Sequence, residues 1–217
     1  FAHRLLEGFD IHTIEPQLVN IATDGETYGH HHKHGDMALA YALDYIERHK
    51  HSHLTNYSEF LAKFPPVYEV EIHENSSGCC VHGIERWREN CGCNSGKPDF
   101  HQLWRKPLRE SLDWLRDKLI EIYTRETSVF LKDPWKAREE YINVILDRSD
   151  ANISKFLKEQ CFVEVENNRV LRMMEVQRNA MLMYTSCGWF FDDLSGIETT
   201  QIMQYACRAM QLVSQVS

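Results

Sequence analysis

Length, composition and charge exclude several classes of protein. With 217 residues, 43% of them hydrophobic, the chain is long enough for one sizeable core and too apolar to be disordered. Its net charge of -8 argues against nucleic acid and anionic membranes as partners, because phosphate groups attract basic surfaces. No apolar run reaches the roughly 18 residues that cross a bilayer, and the seven cysteines follow no regular spacing. We therefore expect a cytoplasmic protein with reduced cysteines.

The most informative stretch is a short apolar run followed by a polar loop. Residues 18–23, LVNIAT, are apolar and β-branched and predict a buried strand. Gly25 and Gly29 follow and predict a tight loop at its carboxyl end, the position at which α/β barrels carry their catalytic groups. The loop is a candidate for chemistry, because folding alone does not require its two carboxylates, one aromatic residue and four histidines.

Asp24 and Glu26 are the two carboxylates of this loop. In an extended chain their side chains would leave on one face with Cα atoms roughly 6.6 Å apart, whereas a turn at Gly25 would separate them. An ordinary polar loop is the alternative interpretation of the tripeptide DGE alone. The later histidines are expected at the surface or in packing: His31, His32 and His34.

The rest of the chain is predicted to be mostly helical. A helix begins near Asp36, and the alternating residues 67–74, which follow two prolines, predict a half-exposed strand. Five further helices are indicated by apolar periodicity, by caps and by proline: one from Pro107, one from Asp133-Pro134, and three over 153–162, 168–185 and 196–214. The expected fold class is mainly α, a helical bundle with one or two short β-strands.

A cysteine-rich loop at 79–96, CCVHGIERWRENCGCNSG, is the second candidate for chemistry. Cys80, His82, Cys91 and Cys93 offer three sulfurs and one imidazole, a ligand set that tetrahedral zinc prefers. Their spacings, C-x-H and C-x-C, are shorter than those of usual zinc knuckles. The loop therefore has three possible interpretations: a structural zinc site, a disulfide, or free buried thiols. The other cysteines are expected in the core: Cys79, Cys161, Cys187 and Cys207.

Three segments resemble glycoside hydrolase family 57, in order along the chain. DGETYGH at 24–30 resembles the fourth motif of that family, ENSSGCCVHGIERW at 74–87 resembles a serine-rich turn with a later Trp, and LMYTSCGWFF at 182–191 resembles the fifth motif. The resemblance covers nearly the whole chain, as a carboxyl-terminal portion. His31 departs from the family where several relatives have Trp, and Cys79 departs where an aromatic residue is common.

The resemblance implies a retaining glycoside hydrolase or glucanotransferase that acts on α-glucans, with Asp24 as general acid/base and no cofactor required for catalysis. It implies that the nucleophile is a Glu on an earlier barrel strand, in an amino-terminal region that would precede Phe1. Since a retaining mechanism needs both carboxyls, the isolated chain is expected to be inactive. Glu26 is expected to support Asp24, with the alternative that it is itself the second carboxylate. The implied partners are a polysaccharide or oligosaccharide and the amino-terminal barrel region of the same parent protein.

Aromatic side chains are expected to contact the sugar, because pyranose rings expose C–H faces that pack on flat groups. Trp189, which follows a helix-breaking glycine, is the first choice for a stacking platform, and Trp87 is a weaker one. Tyr28 and His30 are close enough in sequence to Asp24 to reach the same sugar. We expect His30 to form a hydrogen bond with the substrate.

These interpretations divide the chain into two parts. Residues 1–35 are assigned to a terminal strand of a (β/α) barrel and the loop after it that carries DGETYGH, here called the motif loop. Residues 36–217 are assigned to the helical bundle with the inserted loop 79–96. Two alternative functions remain at this stage. One is a metal-dependent hydrolase that uses the carboxylates and histidines of 24–34. The other is a non-catalytic helical binding module.

Overall fold

The chain divides into two compact units in the computed structural model, which describes residues 1–94 and 96–216. The first unit is Phe1–Ile72, and the second begins at His73. Helices form the regular structure of both units, so the mainly α fold class is confirmed. The functional division predicted after residue 35 is a boundary of another kind and stays a prediction.

The first unit contains helices and long irregular segments. Its helices are α1 (Ala2–Leu6), α2 (Gly35–Arg48) and α3 (Tyr57–Lys63). Helix α2 confirms the helix predicted from Asp36, and its inner face buries Ala42 and Ile46. Helix α3 begins where the Asn56 side chain accepts a hydrogen bond from the Glu59 amide at 2.9 Å.

The two predicted strands are not formed, which corrects that part of the fold prediction. Neither 18–23 nor 67–74 has strand structure, and the described residues form no barrel. The only β-bridges among them are isolated, Tyr28 with His32 and Leu131 with Cys161. An apolar or alternating pattern becomes a strand only when a neighbouring strand takes up its backbone hydrogen bonds, and neither segment has such a neighbour within the described chain.

The second unit is a helical bundle that follows the predicted helices. Its elements are a 3₁₀ helix (Gly83–Trp87), α4 (Arg105–Thr127), α5 (Pro134–Glu140), α6 (Ile142–Leu146), α7 (Asp150–Gln160), α8 (Asn167–Leu182), α9 (Cys187–Phe190) and α10 (Ile197–Ser214). The Asp133 carboxylate caps α5 by accepting hydrogen bonds from the amides of Trp135 and Lys136, at 3.0 and 3.1 Å. The single helix predicted from that point is interrupted at Tyr141, which separates α5 from α6.

The core of the second unit lies where α8 packs against α4 and α10. Its largest fully buried side chains include Tyr123, Phe130, Met173, Trp189 and Ile202. Removing each such side chain from water stabilises the fold by about 1.5 to 3 kcal/mol. Of the helices in the described part of the chain, none is both long enough and apolar enough to cross a membrane.

Candidate functional site

The first candidate site is the polar loop of the first unit, which begins with a turn at Asp24. The Thr27 amide donates a hydrogen bond to the Asp24 carbonyl at 3.1 Å, and the hydroxyls of Thr23 and Thr27 are hydrogen-bonded at 2.6 Å. The chain therefore turns through Gly25 instead of staying extended. Of the two arrangements that the sequence leaves open, the structure has the turn at Gly25 and not the extended chain that would project Asp24 and Glu26 from one face.

The backbone of the loop is fixed by its own hydrogen bonds. The amides of His30 and His31 both donate to the Glu26 carbonyl, at 3.2 and 3.0 Å. Gly35 closes the loop at the start of α2, and a Cβ there would lie 3.3 Å from the Tyr28 Cα. Gly29 has φ 111°, in the region that favours glycine. These bonds are within the loop backbone and do not use the side chains of Glu26, His30 and His31, which are exposed.

The predicted site residues of the first unit share this one loop. Asp24, Glu26 and His30 are exposed, and Tyr28 is half-buried with its ring centroid 6.3 Å from that of Phe1. Among the described residues, no hydrogen bond or ion pair engages the carboxylates of Asp24 and Glu26. Both acids are therefore open to an external ligand in this unit.

The alternative of a catalytic metal in this loop has no preformed ligand set. Within the described residues, the group whose ligand atoms gather closely enough for a metal ion lies elsewhere, in the cysteine-rich loop. The carboxylates and histidines of 24–34 do not form such a group. The arrangement of this loop therefore gives no support to a metal-dependent hydrolase.

Trp189 lies in the core of the second unit. It has no exposed surface, its ring lies between those of Trp104 and Tyr184 at centroid distances of 6.3 and 6.4 Å, and its indole N–H donates to the Met183 carbonyl at 3.1 Å. A stacking platform for sugar needs an open ring face. This corrects the platform assignment, since burial within the unit gives Trp189 a packing role.

Trp87 closes the 3₁₀ helix and is half-buried beside Phe190, with ring centroids 6.4 Å apart. Its carbonyl accepts a hydrogen bond from Arg109 at 3.4 Å. Its indole Nε1 is buried and has no hydrogen-bond partner among the described residues. The predicted contact between Trp87 and substrate stays a prediction.

The second candidate site is the cysteine-rich loop, where the four predicted ligands converge. The Cys80 sulfur lies 3.9 Å from that of Cys91 and 3.6 Å from that of Cys93. The His82 Nδ1 atom lies 3.3 Å from the Cys80 sulfur and 3.4 Å from the Cys93 sulfur. All four ligand atoms lie within 4.8 Å of one another. Residues that are 13 positions apart in sequence thus meet at one point.

Hydrogen bonds within this cluster separate the acidities of its thiols. The pKa of Cys80 falls to about 7, chiefly because the His82 amide donates to its sulfur. The pKa of Cys93 rises to about 11, chiefly through its hydrogen bond with Cys80. The two directions describe one arrangement, in which Cys80 holds the negative charge and Cys93 keeps its proton.

A buried polar network adjoins this cluster, and it contains residues that the sequence did not single out. Gln102 donates from Nε2 to the Cys93 carbonyl and, at 2.8 Å, to the Asp192 carboxylate. Its Oε1 lies 3.6 Å from the Cys91 sulfur. Arg105 has no exposed surface and donates from Nη2 to the carbonyls of Phe190 and Phe191, at 2.7 and 3.0 Å. The network therefore joins the cysteine-rich loop to the segment after α9.

Arg105 carries a charge in a buried position. Burial lowers its pKa, and Arg86 acts in the same direction, whereas Asp192 and the sulfurs of Cys91 and Cys80 oppose the shift. Its Nε and Nη1 atoms are buried without a hydrogen-bond partner among the described residues. A signal for this burial exists in the sequence, because positions 105, 108, 112, 115 and 119 share one helical face and the last four are leucines.

Comparison with protein families assigns each unit separately. Residues 2–73 match the family described as "Glycosyl hydrolase family 57". Residues 100–217 match "Domain of unknown function (DUF3536)", over more than half of the chain.

The chain belongs to the DUF3536 family and is family 57-like.

The family 57 match confirms the resemblance that was carried by DGETYGH, and it coincides with the first unit. The DUF3536 match covers the bundle from just before α4. The stretch between them, 74–99, is matched by neither family model and contains the whole cysteine cluster. No curated protein and no solved structure matches the chain.

Proposed function

We propose that the loop 24–35 forms part of the active site of a retaining glycoside hydrolase or glucanotransferase that acts on α-glucans. Asp24 is the general acid/base, and Glu26, Tyr28 and His30 are its neighbours in the site. The observation that carries the proposal is the family 57 match over 2–73, which includes the complete DGETYGH motif.

The state of the loop supports this role for Asp24. Its carboxylate is exposed and has no partner among the described residues of the unit, so it is free to approach a glycosidic oxygen. The turn at Gly25 is held by backbone and threonine hydrogen bonds, which leave the Asp24 side chain unused for folding. The backbone of the loop therefore positions Asp24, while its carboxylate is not neutralised by a partner within the unit.

The mechanism requires a second carboxyl. In the first step Asp24 gives its proton to the leaving oxygen while a glutamate attacks the anomeric carbon. The two carboxyl groups of such a pair lie about 5 to 5.5 Å apart. In the second step Asp24 takes a proton from water, or from the hydroxyl of an acceptor sugar, which attacks the glycosyl-enzyme and releases the glutamate. We propose that this glutamate belongs to an amino-terminal barrel region of the same parent protein, which packs on the first unit.

The surface of the first unit supports such a partner. Ile11 and Ile14 expose 87% and 102% of their surface, and Ile21, in the predicted strand, is also exposed. Exposed apolar side chains of this kind suit burial against another part of a protein. A barrel strand added beside 18–23 would also supply the backbone hydrogen bonds that this segment does not make within the described chain.

The decisive experiment changes Asp24 to Asn in the longer parent protein that carries the barrel region, with maltooligosaccharides as substrate. Loss of general acid/base catalysis should lower kcat by roughly 10²- to 10⁴-fold. An aryl glucoside with a good leaving group should lose less in its first step, because that leaving group departs without protonation. Asp36→Asn is the matched control, since Asp36 is exposed in the first turn of α2, twelve positions beyond Asp24.

Turnover of maltooligosaccharide by the Asp24→Asn protein at the rate of the Asp36→Asn protein would contradict the proposal. Equal losses in kcat/KM, which reports the first step, for maltooligosaccharide and for the activated aryl glucoside would also contradict it, since Asp24 would then not act on the leaving group.

A further inference from the structure

The four side chains of the cysteine cluster have the spacing of ligands around a tetrahedral metal ion. A Zn²⁺ ion with bonds of about 2.3 Å to sulfur and about 2.0 Å to nitrogen separates two sulfurs by about 3.8 Å and a sulfur from a nitrogen by about 3.5 Å. The observed separations are 3.9 and 3.6 Å between sulfurs, and 3.3 and 3.4 Å between sulfur and His82 Nδ1. Four of the six separations among the ligand atoms are therefore close to those of a tetrahedral site, and the other two are at most 4.8 Å.

A disulfide does not account for this arrangement. It would join two sulfurs and leave the third sulfur and the imidazole unused, whereas all four atoms converge here. The seven described cysteines are free. Hydrogen bonds between thiols are weak and give little reason to bring three cysteines and one histidine together. The convergence is the feature that a metal ion explains.

The backbone of the loop is adapted to this convergence. The Gly83 amide donates to the Cys80 carbonyl at 3.0 Å and closes a turn that carries Cys80 and His82. Gly83 has φ 65°, and a Cβ there would lie 1.9 Å from the Asn75 carbonyl oxygen, so no other residue fits. Gly92, between Cys91 and Cys93, has φ 84°. The His82 amide donates to the Cys80 sulfur at 3.4 Å, a contact that stabilises a thiolate.

The buried guanidinium of Arg105 is an independent observation that points to negative charge at this place. Arg105 is fully buried, and two of its nitrogens have no hydrogen-bond partner among the described residues. Cys80 and Cys91 are within electrostatic reach of it. Asp192 already forms an ion pair with Arg105, Nη2 to Oδ1 at 3.8 Å. Three thiolates, a neutral imidazole and Zn²⁺ together carry one negative charge, which would add to the compensation of this buried cation.

We propose that Cys80, His82, Cys91 and Cys93 bind one Zn²⁺ ion in a closed structural site. Four protein ligands fill a tetrahedron and leave no position for water or substrate, so the ion has no catalytic role. Its effect is to hold residues 80–93 together. Gln102 connects this loop to the segment after α9, because it donates hydrogen bonds both to the Cys93 carbonyl and to the Asp192 carboxylate. The inference is independent of the proposed function, because all four ligands lie outside the family 57 match.

The test uses the full chain, purified under reducing conditions without added chelator and then exposed to zinc alone. We expect one equivalent of zinc per chain by elemental analysis, and one equivalent of Co²⁺ bound after exchange, with the thiolate-to-metal absorption of a tetrahedral site. Cys93→Ser and His82→Ala should each lower zinc affinity by roughly 100-fold or more. Cys79→Ser is the matched control, because Cys79 is an exposed cysteine next to Cys80 and lies outside the cluster.

A second measurement keeps the test valid if a variant fails to fold. Removing zinc from the unaltered chain with a chelator should increase hydrogen exchange in 80–93 and 187–193, and adding zinc back should reverse the change. The proposal is overturned if the reduced chain takes up no zinc. It is overturned equally if Cys93→Ser and His82→Ala bind zinc as tightly as Cys79→Ser does, or if zinc removal leaves the exchange of 80–93 unchanged.

Discussion

The two units of the chain differ in how their structure is held. The second unit buries aromatic, aliphatic and sulfur-containing side chains from most of its helices, whereas the first unit buries only Ala42 and Ile46 among its described hydrophobic residues. The motif loop lies in the first unit and is shaped by its own backbone hydrogen bonds. The comparison shows that the segment with the recognisable chemistry is the one with the smaller core.

This difference has a physical consequence for stability. A small domain is marginal unless it buries enough apolar surface to offset the entropy of ordering its chain. The first unit exposes several of its large apolar side chains, while the second encloses Trp189, Tyr123 and Met173 completely. We therefore expect changes of buried residues in the second unit to have large effects, and matched changes in the first unit to have small ones.

The largest effect is expected for Trp189→Ala. Trp189 is fully buried between Trp104 and Tyr184, and its loss leaves a cavity and an unpaired Met183 carbonyl. The expected cost is about 3 to 5 kcal/mol in the free energy of unfolding, measured by urea denaturation with far-ultraviolet circular dichroism. Trp114→Ala is the control, because Trp114 exposes 64% of its surface; it should change stability by less than about 0.5 kcal/mol. Similar losses of stability for both variants would contradict the position of Trp189 in the core.

A smaller effect is expected for Gly188→Ala. A Cβ at this position would lie 2.3 Å from Ile202 Cγ2 and 3.1 Å from the Glu198 carbonyl, where α9 meets α10. We expect a loss of about 1 to 3 kcal/mol, because a well-packed core tolerates an added methyl group poorly. Gly25→Ala, in the motif loop, is the comparison from the first unit, since nothing lies within 4 Å of its added Cβ.

A double-mutant cycle sharpens this prediction. Ile202→Ala removes the side chain that the new methyl group would meet, so the combined variant should lose less stability than the sum of the two single changes. Strict additivity, or a loss from Gly25→Ala as large as that from Gly188→Ala, would contradict the packing that distinguishes the two units.

The sequence predicted the helices well because their signals are local. The Asp133-Pro134 cap places the start of α5, and apolar periodicity places α4, α8 and α10 to within a few residues. It failed at 18–23 and 67–74, because a strand depends on a partner that no local pattern specifies. The same limit applies to Trp189, which was chosen as a stacking platform after a helix-breaking glycine, because its burial beside Trp104 and Tyr184 arises from tertiary packing.

The site predictions divide in a similar way. The grouping of Cys80, His82, Cys91 and Cys93 was predicted from ligand chemistry, although their spacing gave only weak support. Arg105 was missed because a charged residue on a leucine face is normally assigned to the surface. The leucines on its helical face are a signal for burial, but its hydrogen-bond acceptors, the carbonyls of Phe190 and Phe191, lie some 85 positions away and are not indicated by α4.

The smallest effect concerns the half-buried carboxylate of Glu175, its partners and its dependence on pH. Burial alone would raise the pKa of Glu175, but hydrogen bonds from Arg148, Tyr141 and Arg178 lower it on balance. A carboxyl with a lowered pKa in the folded state stabilises the fold above its unfolded pKa of about 4.3, and this contribution is lost as pH falls through the folded value. Glu175→Gln should therefore cost about 1 kcal/mol at neutral pH.

The pH profile separates this prediction from a simple packing defect. The difference between Glu175→Gln and the unaltered chain should shrink below about pH 4, because protonation then neutralises Glu175 in the unaltered chain, whereas Gln is neutral at every pH. Glu59→Gln in α3 is the counterpart in the first unit: its pKa is also lowered, mainly by the hydrogen bond from Lys63, but the pair is exposed and its loss should not change stability measurably. A Glu175→Gln cost that stays constant down to acid pH would mean that shape, and not charge, makes Glu175 important, and this contrast between the two units would then rest on packing alone.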